Sequence, residues 1–306
     1  MMSISSYLKI IGRGSKGSGD LSREQAHEVF SKILASEVSD LELGAFCIAM
    51  RIKGETVSEL LGFMDAVEPH LISLDTSSKP TIILPSYNGA RKQLNLTPLL
   101  AGLLVAKGFQ VIVQGVIEDP TRVTSHAIFE HLNWPILENS DQFAQLSALN
   151  LPIFCPLKVL SPDLQRMLDL RLQIGLRNSA HVLAKLINPF KKTAWQISNY
   201  THPEYPEKLK EYFLASASNA ILMRGNEGEP TASYQRLPEM HFLYANQSTS
   251  SSNGERFDFV PPFEEINAEA TANWTLQMLN NPSSGPMSLI RQAELIADHV
   301  SHLVKS

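Results

Sequence analysis

Apolar side chains recur at helical spacing through the first 75 residues. Three capping boxes precede such stretches, pairing Ser22 with Gln25, Ser39 with Glu42 and Thr56 with Glu59. The apolar positions after each box are Ala26, Val29, Phe30, Ile33 and Leu34, then Leu43, Phe46, Cys47 and Met50, then Leu60, Leu61, Met64 and Val67. We therefore predict a small bundle of short helices.

From Thr81 onward, short apolar runs alternate with helical patterns. The runs TIIL, FQVIVQG, LPIF and AILMRG predict strands, and helices are expected from about Leu96 and near Val123 to Leu132. Strands separated by helices favour a mostly parallel sheet covered on both faces. The Ser/Asn-rich segment 245–255 predicts a flexible hairpin-type loop.

A second helical segment begins where Ser161 precedes Pro162. Its apolar residues follow i, i+4 spacing at Leu164, Leu168, Leu172 and Leu176. This stripe predicts a helix with one buried face.

Composition limits the class of protein. With 306 residues and 43% hydrophobic side chains, the chain is too apolar to be disordered. Its longest apolar run, Leu99 to Ala106, is too short to span a bilayer, and the N-terminus lacks the apolar core of a signal peptide. We therefore expect a cytoplasmic protein with no membrane partner. Cys47 and Cys155 are expected to be two buried thiols.

The net charge of −5 is unevenly distributed. Residues 226 to 306 contain 4 Lys/Arg against 10 Asp/Glu, whereas residues 126 to 225 contain 10 against 8. The negative net charge therefore does not exclude a basic surface elsewhere in the chain, because a polyanion is attracted by the local electrostatic field rather than by the charge of the whole chain.

Two segments carry a resemblance to a known superfamily. Residues 40–67, DLELGAFCIAMRIKGETVSELLGFMDAV, and the later GLRNSAHVLAKLINP resemble segments of the anthranilate phosphoribosyltransferase and nucleoside phosphorylase superfamily, and the order and spacing agree over nearly the whole chain. The resemblance implies an α/β fold with a small all-helical N-terminal domain and a larger α/β domain whose central sheet is mostly parallel and covered by helices. In these terms residues 1–75 and the returning helices 161–189 form the helical domain, and residues 76–160 and 190–306 form the α/β domain.

The transferase motifs of that superfamily are changed here. Where the transferases carry a G-T-G-G-D loop for phosphoribosyl pyrophosphate, this chain has Pro85-Ser86-Tyr87-Asn88-Gly89-Ala90, with one glycine and no acid. The K-H-G-N-R motif is replaced by Val113 to Ile117, so its cationic positions are apolar. These losses argue against the parent reaction, and we predict no catalytic residue and no cofactor.

The metal-binding acid pair of the superfamily would fall in GNEGEPTAS, residues 225–233. No adjacent acidic pair occurs there, although Glu227 and Glu229 remain. These two residues either hold a metal or are solvated loop acids, and we favour the second interpretation. No metal site is therefore predicted.

Other segments are similar to the YbiB-type branch of the superfamily, which lacks the transferase motifs. They are PSYNGARKQLNLTPLL, EDPTR, RNSAH and THPEY. The resemblance implies a homodimer formed through the helical domain, and a nucleic-acid partner, DNA or RNA.

Binding without sequence preference needs Lys and Arg side chains that follow the phosphates. The superfamily fold implies that several of the candidates border a cleft between the domains, and Tyr87 is either a base-stacking residue or a packed loop tyrosine. The predicted nucleic-acid or phosphate contacts are Arg13, Lys16, Arg51, Lys53, Tyr87, Asn88, Arg91, Lys92, Arg122, Arg171, Arg177 and Lys185.

Three functions of different classes stay open at this stage. The favoured one is non-catalytic, sequence-independent nucleic-acid binding by a dimer. The alternatives are an altered glycosyl or phosphoribosyl transferase that acts on a phosphorylated sugar and a base-like acceptor, and a regulatory module that binds a small phosphorylated metabolite. His181, His202 and His241 lack a partner at catalytic spacing, so we expect them to be surface or core residues.

Overall fold

The computed structural model describes residues 3–14, 16–75, 79–190, 193–251, 254–261 and 265–305. The chain divides into two compact units, one formed by Met1–Ile72 with Leu160–Ile187 and the other by Ser73–Val159 with Asn188–Ser306. No helix within the described residues is long and apolar enough to cross a membrane.

Among the residues that the structure describes, the regular elements of the first unit are all helices. The three predicted capping boxes are all formed, and each begins a helix of the predicted bundle. Phe30, Phe46 and Phe63 meet at its centre, with ring centroids 4.9 to 6.4 Å apart. Its α-helices in the first segment are α1 Ser5–Ile11, α2 Arg23–Leu34, α3 Asp40–Lys53 and α4 Val57–Val67. In the second segment, which follows residue 159, they are α9 Pro162–Ile174 and α10 Ala180–Leu183.

The returning helices complete this unit, but only half of their leucine stripe is buried. Leu164 and Leu168 are buried, whereas Leu172 is 75% exposed and Leu176 is 48% exposed. The prediction of one buried face along all four leucines is therefore wrong. Leu176 lies beyond the helix, because α9 ends at Ile174 and Gly175 takes a left-handed conformation. Leu172 is inside α9, but an i, i+4 spacing rotates by about 40° per step on a helix of 3.6 residues per turn, so this leucine has moved off the face of Leu164.

The second unit contains a seven-stranded sheet in the order β3-β2-β1-β4-β5-β7-β8, and a separate pair of strands, β6 and β9. β1 to β5 are parallel, whereas β7 and β8 extend the sheet antiparallel. The strands are β1 Thr81–Ser86, β2 Gln110–Gly115, β3 Ile153–Pro156, β4 Trp195–Tyr200, β5 Ala220–Arg224, β6 Arg236–Leu237, β7 Met240–Tyr244, β8 Gln247–Ser250 and β9 Glu255–Arg256.

Helices cover this sheet. Buried residues of α5, α6, α12 and α13 belong to one apolar core with the strands. The helices of the unit are α5 Thr97–Ala106, α6 Ser125–Leu132, α7 Phe143–Ser147, α8 Leu157–Leu160, α11 Tyr205–Ala215, α12 Ala268–Asn280 and α13 Met287–Lys305.

The order of the strands reverses between β1 and β4. From β1 the chain adds β2 and β3 on one side, and β4 with β5 lie on the other side. In open α/β sheets, ligands bind at the carboxyl ends of the strands beside such a reversal. The loop after β1 is therefore the position at which a site is expected in this fold.

The sheet differs from the predictions in several features, and β7 is one strand that was not predicted. The strand β4 was not predicted, because its buried residues include Gln196, Ser198 and Asn199, which hide the apolar pattern. The segment predicted as a flexible hairpin-type loop forms part of a β-hairpin, in which its strand β8 pairs with β7 through a turn at Ala245 and Asn246. Residues 252 and 253 of that segment lie outside the described residues.

Candidate functional site

The segment between β1 and α5 forms a loop at the carboxyl end of the sheet. Its one glycine, Gly89, has a positive φ of 64°. A Cβ atom at this position would lie 2.6 Å from the backbone oxygen of Val123. Glycine is therefore required here because this loop packs closely on another part of the same unit, whether or not it binds a phosphate.

The carboxylate of Glu229 fills the inside of this loop. Its Oε1 accepts hydrogen bonds from the backbone N–H groups of Asn88 at 3.0 Å and Gly89 at 2.8 Å. Its Oε2 accepts from the hydroxyl of Thr97 at 2.9 Å and from the hydroxyl of Ser86. Only 2% of Glu229 is exposed, so these four donors replace water around the buried carboxylate.

Glu227 holds the outer part of the same loop. Its carboxylate accepts hydrogen bonds from the backbone N–H groups of Arg91 at 3.3 Å and Lys92 at 3.1 Å. The guanidinium of Arg122 lies 3.6 Å from this carboxylate and donates to the backbone oxygen of Gly89 at 3.0 Å. The main chain of the loop is thus bound to an acid, while the side chains of Arg91 and Lys92 are exposed.

A tight turn from Asn226 to Glu229 presents both acids to the loop. The backbone N–H of Glu229 donates to the oxygen of Asn226 at 2.9 Å, and the reverse bond measures 3.2 Å. Glu227 and Gly228 have φ values of 52° and 89°, the pair of positive angles that defines a type I′ turn. The side-chain amide of Asn88 donates to the Gly228 oxygen at 2.9 Å, which binds the turn to the loop a second time.

The favoured sequence interpretation of these acids is corrected by this geometry. Glu229 is buried and the side chain of Glu227 is 12% exposed, so neither is a solvated loop acid. The physical reason is that a distant segment supplies their donors, backbone N–H groups and hydroxyls for Glu229 and backbone N–H groups for Glu227, which sequence spacing does not reveal. Within the part of the chain that the structure describes, no group of three or more His, Cys, Asp or Glu side chains is arranged to hold a metal ion.

The EDPTR segment, residues 118–122, anchors the loop from its other side. Asp119 accepts hydrogen bonds from the N–H and the hydroxyl of Thr121, both at 2.9 Å, which forms a local turn. Ala90 and Val123 then exchange two backbone hydrogen bonds of 3.1 and 2.9 Å. This turn brings Arg122 to the loop.

Positions that would carry the K-H-G-N-R motif serve packing and capping. Val113 is fully buried in the core of the sheet. The backbone oxygen of Ile117 accepts a hydrogen bond of 2.9 Å from the hydroxyl of Thr124, the residue that caps α6. These side chains therefore supply no phosphate-binding charge.

Two of the predicted contact residues have side chains that are used inside the loop. Tyr87 is 7% exposed, and burial raises the pKa of its hydroxyl well above the usual value. Asn88 is 4% exposed and is bonded to the turn. In this conformation neither side chain is presented to a ligand at the surface.

Exposed cations lie near the same edge of the sheet. Arg91 and Lys92 were predicted, whereas Lys158 in α8 and Arg224 at the end of β5 were missed. Lys158 comes just after β3, and Arg224 is the last residue of β5. Both strands are parallel strands of one sheet, so their carboxyl ends lie at the same edge. These two cations could therefore have been predicted from the sequence. Glu118 is an exposed acid after β2.

The helical unit carries the remaining predicted cations. Arg13, Lys16 and Arg51 are exposed. Lys53 differs, because its ammonium is 2.7 Å from both Glu59 and Asp20, and its side chain is only 6% exposed. This lysine neutralises the fully buried Glu59 carboxylate.

Three predicted cations come together around His181. Burial lowers the pKa of His181 to about 3, and the positive charges of Arg177, Arg171 and Lys185 contribute in the same direction. The three cations are partly exposed. They form a basic cluster on the returning helices of the helical unit.

Comparisons with known proteins agree with this architecture. Residues 5–68 match the family model described as glycosyl transferase family, helical bundle domain. The chain is 42% identical to the Escherichia coli (strain K12) protein YbiB over 294 residues, which is 92% of this chain and 89% of that protein. It is 26% identical to an anthranilate phosphoribosyltransferase of Methanopyrus kandleri over 223 residues, which is 72% of this chain and 63% of the relative.

Solved structures show the same fold at low identity. Anthranilate phosphoribosyltransferase (TrpD) from Thermus thermophilus aligns with a TM-score of 0.68 at 19% identity, over 90% of this chain and 84% of that chain. The enzyme from Saccharomyces cerevisiae, in complex with PRPP and Mg, aligns with a TM-score of 0.70 at 13% identity, over 94% and 85%. The chain belongs to the family of YbiB, and it has the two-part fold of the anthranilate phosphoribosyltransferases.

Proposed function

We propose that this protein is a non-catalytic, cytoplasmic nucleic-acid-binding protein. DNA is the first candidate and RNA the second. Lys and Arg side chains contact phosphates, and sequence preference is small because those contacts carry no base information.

The observation that carries the proposal is how the loop after β1 uses its main chain and its side chains. Its backbone N–H groups are used by Glu227 and Glu229, while the side chains of Arg91 and Lys92 remain exposed on that fixed main chain. Exposed cations on a fixed main chain can contact the phosphates of a polyanion that binds at the protein surface. Lys158 and Arg224 extend this set along the same edge of the sheet.

The helical unit supports the proposal with cations of its own. Arg13, Lys16 and Arg51 are exposed, and Arg171, Arg177 and Lys185 are gathered near His181. Because phosphate contacts are individually weak and release counterions, several such positions are needed for useful affinity.

We further propose that the protein is a homodimer formed through its helical unit. An apolar groove of about 370 Å³ lies between α1 and α3, with Leu8, Ile11 and Ile48 in its lining. On α3, Leu41 is 84% exposed and Ile52 is 64% exposed. An exposed apolar helix face of this kind suits a second copy of the chain. A dimer doubles the number of cations available to one nucleic acid.

The alternative of an altered transferase is less well supported. Such an enzyme needs the loop donors for the phosphates of its substrate, and those donors are bound to the carboxylates of Glu227 and Glu229. Saturable, magnesium-dependent binding of phosphoribosyl pyrophosphate by calorimetry would favour this alternative.

Fluorescence anisotropy of a labelled oligonucleotide tests the favoured function. We expect Arg91→Glu/Lys92→Glu to weaken binding at low salt by about tenfold or more, because two phosphate contacts become repulsive. The matched control is Lys79→Glu/Lys107→Glu, which makes the same charge change on exposed residues near the amino ends of β1 and β2. Equal weakening by both variants would show that only net charge matters, and no weakening would exclude the loop from the interface.

A further inference from the structure

An open cavity of about 660 Å³ lies in the second unit, near the amino ends of β1 and β2. The loop after β1 is at the other end of the strands. The lining comes from the chain before β1, from Gln110 at the start of β2, and from residues 140–150. The predicted phosphate contacts all lie outside this lining, so a ligand here is separate from the proposed nucleic acid.

Two side-chain amides in the lining keep hydrogen-bond donors for a ligand. The Oε1 atom of Gln110 accepts from the hydroxyl of Ser147 at 2.5 Å, and the Oδ1 atom of Asn150 accepts from the ammonium of Lys79. Within the described ranges of the chain, no hydrogen bond uses the NH₂ group of either amide. Gln110 is only 5% exposed. A buried donor of this kind requires an acceptor, which a molecule in the cavity can supply.

The lining carries charges of both signs. Asp75 and Asp141 are exposed acids, and Lys79 is an exposed cation that is bonded to Asn150. The amide donors and the nearby cation suit a carboxylate, whereas the two acids suit an ammonium group. A zwitterion uses both parts of this set, and a ligand with one charge uses only one part.

The apolar part of the lining is well packed. Phe143 is 4% exposed, and its ring lies on that of Phe190 with the centroids 5.6 Å apart. Leu74 is equally buried. Ala144 and Ala148 add small side chains at the surface. These residues form a wall against which an apolar side chain can be buried.

We propose that this cavity binds a free apolar amino acid. The carboxylate of the ligand accepts hydrogen bonds from the amides of Gln110 and Asn150. Its ammonium pairs with Asp75 or Asp141, and its side chain packs against Phe143. The ligand is bound without being converted, and it stabilises the folded protein.

Calorimetry and thermal denaturation with L-leucine, L-methionine and L-phenylalanine test the proposal. We expect at least one of them to bind with one molecule per chain and to raise the melting temperature as its concentration increases. For the amino acid that binds most tightly, the analogues that lack the ammonium or the carboxylate should each bind about tenfold more weakly. Binding by none of the three at millimolar concentration would overturn the proposal, and so would equal binding of either analogue.

The variant Gln110→Met places the site in the cavity. It replaces the buried amide by an apolar side chain of similar length. The matched control is Gln145→Met, which makes the same change at an exposed position of α7 outside the lining. We expect Gln110→Met to weaken binding by about tenfold and the control to bind like wild type. Equal affinity of Gln110→Met and wild type would contradict the proposal.

Ala148→Trp provides the test if Gln110→Met does not fold. Ala148 is an exposed lining residue, so a large side chain there occupies the cavity without entering the core. We expect this variant to fold with a melting temperature close to that of wild type and to bind none of the three amino acids. Wild-type affinity in folded Ala148→Trp would show that the ligand binds elsewhere and would overturn the proposal.

Discussion

The carboxylate of Glu229 lies 2.8 Å from the backbone nitrogen of Gly89, although 140 residues separate them in the chain. This hydrogen bond joins the loop after β1 to the turn after β5. It places an acid of the protein where a ligand would be expected, at the carboxyl ends of the parallel strands. The loop is consequently a fixed support for Arg91 and Lys92.

Removing the charge of Glu229 should destabilise the protein. In Glu229→Gln, an NH₂ group faces donors that now lack an acceptor, and two charge-assisted hydrogen bonds are lost. We expect the free energy of unfolding to fall by about 2–4 kcal/mol. Chemical denaturation measures this change, with Glu269→Gln as an exposed control expected to stay within about 0.5 kcal/mol of wild type. Equal stability of Glu229→Gln and wild type would mean that the carboxylate is not needed.

Two glycines in helices of the first unit should respond oppositely to alanine. A Cβ atom at Gly62 in α4 would lie 2.2 Å from the backbone oxygen of Arg23, whereas one at Gly44 in α3 would have no heavy atom within 4 Å. Gly62→Ala should therefore force α2 and α4 apart and cost about 3 kcal/mol. Gly44→Ala should stabilise by about 0.5–1 kcal/mol. Thermal denaturation distinguishes these results, and similar changes for both variants would contradict the close packing at Gly62.

The partly buried His181 predicts a loss of stability in mild acid. Its pKa is about 3 in the folded protein against a usual value of 6.5, so the unfolded chain binds the extra proton between these values. Stability should therefore fall as the pH drops below about 6.5, by up to about 1.4 kcal/mol per pH unit from this group. Unfolding measured from pH 7 to pH 5 should show a flatter dependence in His181→Gln. The exposed His27→Gln control should retain the dependence of wild type, and an unchanged slope in His181→Gln would contradict the assignment.

The apolar face of α3 predicts self-association. Ile52→Glu places a charge on a side chain that is 64% exposed in the single chain, so its folding should be unaffected. We expect this variant to be monomeric by light scattering, whereas wild type should be a dimer. Leu149→Glu is the control, because Leu149 is 54% exposed in the other unit. A monomeric wild type would exclude the proposed dimer.

Local features of the fold could be predicted from the sequence. The helices α2, α3 and α4 begin at capping boxes, which are formed by residues three positions apart. β1, β2, β3 and β5 are short apolar runs, so they were also recognised. β4 was missed because buried polar residues interrupt its apolar pattern.

The candidate site was only partly predictable, because it is made by contacts between distant segments. Arg91 and Lys92 were identified as cations near a former phosphate loop, but the partners of that loop were not. Glu227 and Glu229 lie about 140 residues away, and only the folded sheet brings them to it. The role of Lys53 could not be predicted for the same reason, because its pairing with buried Glu59 depends on how α3 and α4 meet.

The most direct test of nucleic-acid binding is the salt dependence of affinity for a labelled DNA duplex, measured by anisotropy for wild type and Arg91→Glu/Lys92→Glu. We expect log affinity to fall linearly with log salt, with a slope of roughly −0.9 per phosphate contacted, and little difference between unrelated sequences. The double variant should have a shallower slope by about 1.8. If wild type does not bind DNA or RNA at low salt, or if its affinity does not change with salt, the proposed function is wrong.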